Sequence, residues 1–416
     1  MPGGFVGAEE REAVFRQSVD PVIEKAREEA TFVEGLIPVG KEEINMRGVD
    51  LNLEIEPNPS WGFFSRGGAL PVVSNNLYLT MKALPARCAQ GYGFDGDALQ
   101  EAEQKNNLAG SIMEQCGKYF DTAHKKSEQA LLGSRTGRLG VVLTRDSATQ
   151  VTFAKTFAAG SLLSSRRIQH RGRYQFVSAA GAVRAQLSTA SIPPVPSTGV
   201  ATFDAVDAAV VATDIAVYEN SYNQGFAGLE DQMSDSGIIQ GRPRSTYPWL
   251  KVLTDNLGGA QITPPRVYKN RNALRFRGEG DVSKLMILSS LAQSEGFLLP
   301  AYPLLRFQGG SGKPQQNFDG PSFLNHGWRE HVDIQDDTLY GWDVAATRIW
   351  RLKPWGRYRD DDMDLRMQFS GANGQDKYVG WYGWKGQMGF KRYHTSFAMV
   401  NCSVAGLATG FASANP

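Results

Sequence analysis

A glycine-rich stretch with a lysine is the first candidate for chemistry. Residues 309–314 (GGSGKP) share features with a phosphate-binding loop, in which glycine amides surround phosphate oxygens. The motif fails because Phe307 stands where its first glycine is required and Pro314 replaces the hydroxyl residue that binds Mg²⁺. It also fails as a nucleophile turn, since Lys313 occupies a required glycine position. We therefore expect a surface loop here.

Two histidines and an acidic run could bind a metal. His326 and His331 lie near Glu330 and Asp333, but their spacing is i, i+5 rather than the i, i+4 of a zinc-binding HExxH helix. The run at 360–364 (DDDMD) offers carboxylates to a hard cation, yet it lacks the spacing of an EF-hand loop. We expect structural histidines and a solvated loop, with no catalytic residue, metal or cofactor.

A cluster of arginines could bind an anion. The stretch RRIQHRGR contains Arg166, Arg167, Arg171 and Arg173. Such a patch could face the phosphates of DNA without reading its sequence, or it could pair with acidic residues of a neighbouring copy. The sequence leaves both interpretations open, and a basic patch formed by these arginines stays a hypothesis.

The overall charge and the cysteines exclude several classes of protein. Lys and Arg total 44 against 43 Asp and Glu, which disfavours a tight nucleic-acid-coating role and suits packing of many identical copies. Cys88, Cys116 and Cys402 are too far apart to indicate a disulfide framework or a metal site. The N-terminal residues show no signal peptide, and no apolar run approaches the roughly 18 residues of a membrane span. We expect assembly in a cytoplasm, with no membrane partner.

The elements that would position these residues begin with an amphipathic stretch and a hairpin. Residues 9–34 predict a helix interrupted at Pro21, either on the surface of a compact domain or in an arm on a neighbouring copy. Residues 51–56 and 77–84 alternate like strands around an excursion with Trp61, Phe63 and Phe64. A two-stranded hairpin is marginal alone, so it must lie on another surface.

The next stretch predicts a long helix. Apolar and small residues recur at helical spacing over 97–132, with Asp95 or Asp97 as the N-cap and Gly133 at the end. We expect this helix to lie across a sheet. Residues 137–220 then predict short strands, 285–293 a buried strand or a short helix, and 395–410 a final strand. The 45 glycines favour a loop-rich and β-rich chain over a helical bundle, and 416 residues exceed the usual size of a single domain.

One segment is more specific than this element order. Residues 217–250 (VYENSYNQGFAGLEDQMSDSGIIQGRPRSTYPWL) contain a Gly-Leu, a short acidic helix, a glycine, an arginine and an aromatic-Pro-Trp sequence. This pattern resembles a stretch of tailed-bacteriophage major capsid proteins of the Hong Kong 97 fold, where it leads into the axial domain. The matching positions are Gly228, Leu229, Gly241, Arg244, Tyr247, Pro248 and Trp249.

The resemblance implies an α+β Hong Kong 97-like fold and a division into five segments. These are an N-terminal arm (1–45), an extended loop (46–92), a peripheral domain (93–216) with a spine helix at 97–132, an axial domain (217–390) and a return strand with the tail (391–416). It also implies that Trp61, Phe63, Phe64, Arg66, Phe15 and Ile23 contact neighbouring subunits. No residue here can be matched to the covalent crosslink of the type member.

The function implied is that of a major capsid protein, which is not an enzyme. Homo-pentamers and homo-hexamers would form an icosahedral shell around double-stranded DNA held by weak, nonspecific contact. Portal, scaffold and decoration proteins would be the other partners, with the scaffold a separate chain if there is one. The protein would reside in the virion after assembly in the host cytoplasm.

Three alternatives remain at this point. An encapsulin-type compartment shares the fold and encloses a cargo enzyme instead of DNA. A metal-dependent hydrolase would use His326, His331 and the 360–364 run. Another virion protein, such as a tail tube, would form rings or tubes.

Overall fold

The computed structural model describes residues 32–42, 44–56, 77–95, 106–154, 167–194, 198–276, 285–298, 322–323, 326–357, 366–370 and 375–403. The chain forms two compact units, each assembled from separate stretches. The first comprises Met1–Val49, Leu84–Leu131 and Ile349–Gln387, and the second comprises Asp50–Ala83, Leu132–Arg348 and Met388–Pro416. Neither unit coincides with one of the five expected segments, whose boundaries stay a prediction.

Five helices and twenty strands lie in the described residues. The helices are α1 (Phe32–Leu36), α2 (Asn106–Leu132), α3 (Leu229–Gln232), α4 (Pro264–Phe276) and α5 (Leu291–Leu298). The first ten strands are β1 (Val49–Glu56), β2 (Leu77–Ala83), β3 (Ala86–Asp95), β4 (Gly140–Arg145), β5 (Gln150–Phe153), β6 (Arg173–Val177), β7 (Val183–Ile192), β8 (Val200–Phe203), β9 (Ile215–Tyr218) and β10 (Ile238–Ile239). The others are β11 (Arg242–Pro243), β12 (Leu253–Asn256), β13 (Leu285–Ser289), β14 (Ser322–Phe323), β15 (His326–Glu330), β16 (Leu339–Asp343), β17 (Thr347–Arg357), β18 (Arg366–Ser370), β19 (Gln375–Phe390) and β20 (Phe397–Val400).

The first unit is a long helix packed on a sheet. One stripe of α2 is buried because its members recur every three or four residues: Cys116, Phe120, His124, Ser127 and Leu131. This stripe lies on the sheet formed by β3, β17, β18 and β19. The Phe120 ring centroid is 4.3 Å from that of Tyr382, and the Trp384 indole donates a hydrogen bond of 2.8 Å to Ser127 Oγ. The prediction of a helix lying across a sheet is confirmed.

Close approach of two strands in this sheet requires a glycine. Gly383 of β19 pairs with Ala89 of β3. A Cβ atom at Gly383 would overlap the Cys88 carbonyl group and the Ala89 backbone. Because backbone cannot rotate away as a flexible side chain can, a larger residue would force the strands apart.

The second unit contains a closed β-barrel. Its strands follow the order β4-β5-β8-β7-β6-β9, and closure removes the unpaired edges that an open sheet presents. Large side chains fill the interior, including Phe153, Tyr174, Phe176 and Phe203. The short strands predicted over 137–220 are therefore confirmed as strands. Their closure into a barrel was not predicted.

The second unit also contains a six-stranded mixed sheet. Its order is β12-β20-β16-β13-β15-β14. All five residues of β13 are buried, because this strand lies between antiparallel β16 and parallel β15. Trp328 of β15 donates a hydrogen bond of 2.8 Å to Ser289 Oγ at the end of β13. The sequence predicted either a buried strand or a short helix over 285–293. The structure has both, because β13 is followed directly by the start of α5.

Several other predicted elements are present in the described residues. The two hairpin strands are confirmed as β1 and β2, the final strand as β20, and the helix end at Leu132 as the residue before Gly133. The expected helix start at 97, the 9–31 part of the first helix, and the 309–314 and 360–364 stretches lie outside the described residues. No helix in the described part of the chain is both long enough and apolar enough to cross a membrane.

Candidate functional site

The residues expected to contact neighbouring subunits fall outside the described part of the chain: Phe15, Ile23, Trp61, Phe63, Phe64 and Arg66. What the structure describes is the base of the hairpin. Leu51, Leu53 and Met81 on β1 and β2 are each less than 5% exposed. The hairpin was expected to lie on another surface, and at its base that surface belongs to its own chain and not to a neighbouring copy.

An arginine connects this hairpin base to the 217–250 segment. Arg242 Nη2 donates a hydrogen bond of 3.1 Å to the Thr80 carbonyl of β2. The same guanidinium lies 5.8 Å from the ring centroid of Tyr247, within the range of a cation–π interaction. This arginine thus links the backbone of β2 to the ring of Tyr247.

Strands β10 and β11 form a tight hairpin within the segment. Ile239 pairs with Arg242, so Gln240 and Gly241 form a two-residue turn. Their φ angles are +48° and +81°. Positive φ at both central residues is the geometry of a type I′ turn, which favours glycine. The structure thus gives a backbone reason for Gly241.

Arg244 is the centre of the segment. It is only 2% exposed. Its guanidinium donates hydrogen bonds to backbone carbonyl groups at Leu250 (3.0 Å), Ser236 (2.8 Å), Asp231 (2.6 Å) and Gln232 (3.4 Å). Burial lowers the pKa of Arg244 from its usual value, because a low-dielectric environment disfavours the charge. One side chain thus joins α3, the loop after it and the chain leading into β12.

A glutamine and a tyrosine extend this polar cluster, and neither was predicted. Tyr393 donates a hydrogen bond of 2.8 Å to Gln232 Oε1. Gln232 Nε2 in turn donates to the carbonyl groups of Ala227 at 3.0 Å and Met388 at 3.3 Å. The Arg244 guanidinium lies 5.9 Å from the Tyr393 ring centroid. Tyr393 is distant in sequence, so no local pattern could have associated it with Gln232.

Two acidic residues of α3 bind the chain that follows α2. Asp231 accepts hydrogen bonds from Ser134 Oγ at 2.8 Å and from the Arg135 backbone N–H. Burial raises the pKa of Asp231 to about 6, although both hydrogen bonds favour its charged form. Glu230 forms an ion pair with Arg138 in which both side chains are largely buried.

The remaining motif residues have structural positions consistent with their types. Gly228 is the N-cap residue of α3, which begins at Leu229. Pro248 occupies the first turn of a 3₁₀ helix at Pro248–Leu250. Backbone N–H groups in a first turn have no partner within the helix, so proline loses no hydrogen bond there. Tyr247 and Trp249 pack edge to face with ring centroids 5.5 Å apart. The segment is therefore a buried polar junction followed by an aromatic pair.

The predicted basic patch requires a correction. Arg167 is 5% exposed, and its guanidinium donates to the Arg138 carbonyl at 3.2 Å and the Asp333 carbonyl at 3.0 Å. Arg167 is therefore a buried structural residue and cannot belong to a surface patch. Arg166 lies outside the described residues, Arg171 is exposed, and Arg173 pairs with Glu219 at 3.2 Å.

The histidine stretch has the structure of a strand and a turn. His326 lies in β15, and His331 Nδ1 accepts a hydrogen bond of 3.0 Å from the Asp333 backbone N–H. In the described residues, no three His, Cys, Asp or Glu side chains are grouped so that they could hold a metal ion. The arrangement on these elements is therefore one of packing and internal hydrogen bonding.

Comparison with known proteins identifies the fold. No family model matches the sequence, and no curated protein matches it significantly. A solved structure of the cyanophage A-1(L) capsid asymmetric unit is similar over 90% of this chain and 93% of its own, at 12% identity and a TM-score of 0.50. The capsid of a native GTA particle is similar over 89% and 90% of the two chains, at 8% identity and a TM-score of 0.43. A structure from Mycobacterium phage Bobi is similar over 89% of this chain and 90% of its own, at 10% identity and a TM-score of 0.42.

The fold assignment rests on the cyanophage structure, which has the highest TM-score of these three. The chain has the α+β, Hong Kong 97-like fold of tailed-phage major capsid proteins, as its sequence predicted. At this low identity, the likeness shows how the chain folds, and function remains a separate question.

Proposed function

We propose that this chain is the major capsid protein of a tailed bacteriophage, which assembles into pentamers and hexamers of an icosahedral shell around double-stranded DNA. The observation that carries the proposal is the likeness to a chain of the cyanophage A-1(L) capsid asymmetric unit, over 90% of this chain and 93% of that one. Near-neutral charge supports the proposal, because repulsion between identical copies grows with net charge.

The proposed contacts with neighbouring copies lie beyond the covered hairpin base. Trp61, Phe63, Phe64 and Arg66 are in the excursion between β1 and β2, and Phe15 and Ile23 are in the N-terminal arm. A large aromatic side chain buries about 150–250 Å² when it enters a partner's pocket, which makes aromatics common centres of binding energy. Because β1 and β2 are held by their own chain, they provide a fixed base for such contacts.

Assembly of the purified chain tests the proposal directly. The full-length protein is expressed, sized by light scattering across a concentration series, and imaged by electron microscopy. Closed particles with five-fold and six-fold clusters are the expected result. A folded monomer that persists at high concentration would contradict it, and open tubes or stacked rings would favour a tail protein instead.

A triple variant tests the proposed contact residues. W61A/F63A/F64A should lose particle formation, and an unchanged circular dichroism spectrum would show that the variant still folds. The matched control is W381A, which removes an aromatic side chain that is 40% exposed on β19 and should leave assembly intact. Normal particles from the triple variant would refute the role of the hairpin aromatics.

The contents of native particles distinguish a phage head from an enzyme compartment. We propose nuclease-protected double-stranded DNA inside, with portal, scaffold and decoration proteins as further partners and the virion as the final location. A stoichiometric cargo enzyme in place of DNA would instead identify an encapsulin-type compartment.

A further inference from the structure

Helix α4 has an unusual composition for a protein with balanced charge. Its sequence, PPRVYKNRNALRF, contains Arg266, Lys269, Arg271 and Arg275 and no acidic residue. Four positive charges in 13 residues contrast with the net charge of +1 for the whole chain. Such a concentration of one sign raises the local electrostatic potential and attracts oppositely charged partners.

The packing of α4 determines which side chains face outward. Val267, Asn270 and Leu274 are buried, and the helix packs on β12 and β20. Because successive residues are rotated by about 100° around a helix axis, Tyr268, Lys269, Arg275 and Phe276 point away from that buried face. Tyr268 is 46% exposed and Phe276 is 90% exposed.

The structure neutralises one of the cations and leaves others available. Arg266 forms a bidentate ion pair with Asp255, with bonds of 2.9 and 2.7 Å. Asn270 also donates to this carboxylate. Within the described residues, Lys269 and Arg275 form no ion pair, although the charge of Lys269 is close enough to help lower the pKa of the Asp255 carboxyl. The outward face of α4 therefore presents the cations Lys269 and Arg275 together with the exposed rings of Tyr268 and Phe276.

We propose that this outward face of α4 binds nucleic acid through its phosphate backbone, which deepens the proposed function by naming the surface that meets the packaged DNA. Lys269 and Arg275 are suited to phosphates, and the exposed rings can stack on bases where a strand is single. A lipid surface fits less well, because the apolar residues Val267 and Leu274 are already buried in the protein. The burial of Arg167 strengthens the choice of α4 over the barrel arginines.

Salt-dependent binding measures the proposed phosphate contacts. Anisotropy of fluorescein-labelled duplex DNA and of a dT oligonucleotide is followed with the full-length wild-type chain and with K269Q/R275Q. Loss of two phosphate contacts should reduce the slope of log K against log salt by about 1.8 on duplex DNA. If the two proteins converge at 1 M salt, that slope predicts about 60-fold weaker binding at 0.1 M.

A matched variant removes the same charge elsewhere. R171Q/R173Q neutralises two barrel arginines and should leave the slope at its wild-type value. Y268A/F276A should weaken binding of the dT oligonucleotide by at least about fivefold with little effect on duplex DNA, because stacking requires unpaired bases.

Several results would overturn the proposal. An unchanged slope in K269Q/R275Q, an equal fall in R171Q/R173Q, or no wild-type binding at low salt would each do so. Loss of particle formation in K269Q/R275Q with DNA binding intact would make α4 a subunit contact instead. Binding to anionic lipid vesicles but not to DNA would assign a membrane partner. If wild-type chain binds DNA through α4 yet never assembles, the shell function fails and this inference stands.

Discussion

Replacement of Arg244 tests whether one guanidinium holds the 228–250 segment together. Its donors reach carbonyl groups on α3, on the loop after it and at Leu250. Arg244→Lys keeps the positive charge but presents it as a compact ammonium group, which cannot reproduce the planar fork. Arg244→Ala removes both the charge and the donors. Comparing the two separates the effect of charge from that of geometry.

The expected magnitudes follow from the bonds that each variant loses. Three of the four bonds, to Leu250, Ser236 and Asp231, are 3.0 Å or shorter, and a hydrogen bond to a charged group contributes about 1.5–3 kcal/mol. Desolvation of the buried charge offsets part of this sum, as its lowered pKa shows. We expect Arg244→Ala to reduce the free energy of unfolding by about 3–5 kcal/mol. For Arg244→Lys we expect a loss of about 2 kcal/mol, because some carbonyl groups lose their donor.

Urea unfolding of the full-length, unassembled chain provides the measurement. Tryptophan fluorescence follows unfolding, and amide hydrogen exchange over 228–250 shows whether the loss is local to this segment. Arg171→Ala is the control, because Arg171 is exposed and such surface changes usually alter stability by less than about 0.5 kcal/mol.

The reasoning is refuted by either of two results. If Arg244→Lys unfolds at the same urea concentration as the wild type, a point charge is sufficient and the forked geometry is irrelevant. If Arg244→Ala loses less than about 1 kcal/mol, the carbonyl groups find other donors, and the burial of Arg244 adds no net stability.

Three further predictions concern other described residues. The pKa of Asp231 is about 6 in the folded chain, above its ordinary value of 3.8, so its contribution to stability should rise as pH falls from 7 to 4, by up to about 1.4 kcal/mol per pH unit. Asp231→Asn should lack this pH-dependent contribution when the free energy of unfolding is measured in urea at each pH. The prediction is contradicted if the free energy of unfolding of the wild type minus that of the variant falls on acidification. Gly383→Ala should lose about 3 kcal/mol because its Cβ meets the backbone of β3, whereas Gly327→Ala has nothing within 4 Å; equal melting temperatures for the two would refute this. Trp384→Phe should lose about 1–2 kcal/mol in thermal unfolding, because Ser127 Oγ loses its buried donor, and a Ser127→Ala background should abolish most of that loss.

Local patterns predicted several elements well. Alternation predicted β1 and β2, and helical spacing with a terminal glycine predicted the end of α2 at Leu132. These elements could be predicted because the spacing of apolar residues along the sequence shows which face of a helix or strand is apolar. By contrast, β3 was not distinguished from the hairpin, since its partner β19 lies almost 300 residues further along the chain. A short stretch of sequence contains no pattern that indicates a partner strand so far away along the chain.

The candidate site could be located but not explained from sequence. The stretch 217–250 was selected by resemblance, and the structure shows that Arg244 is its buried centre. Nothing in GRPRSTYPWL distinguishes a buried arginine from a surface one, and the same difficulty affected Arg167. The basic composition of helix α4, four cations and no acidic residue over 264–276, is visible in the sequence itself.

By itself, the sequence determined the α+β class, the strand and helix periods, and the absence of a recognisable catalytic motif. These depend on properties that each residue has with its near neighbours. Only the tertiary structure decided that six short strands close into a barrel, that the hairpin base is covered by its own chain, and which arginines are buried. The burial of a charged side chain depends on carbonyl groups that converge from separate stretches, as they do from Asp231, Ser236 and Leu250 around Arg244, and that convergence exists only in the folded chain.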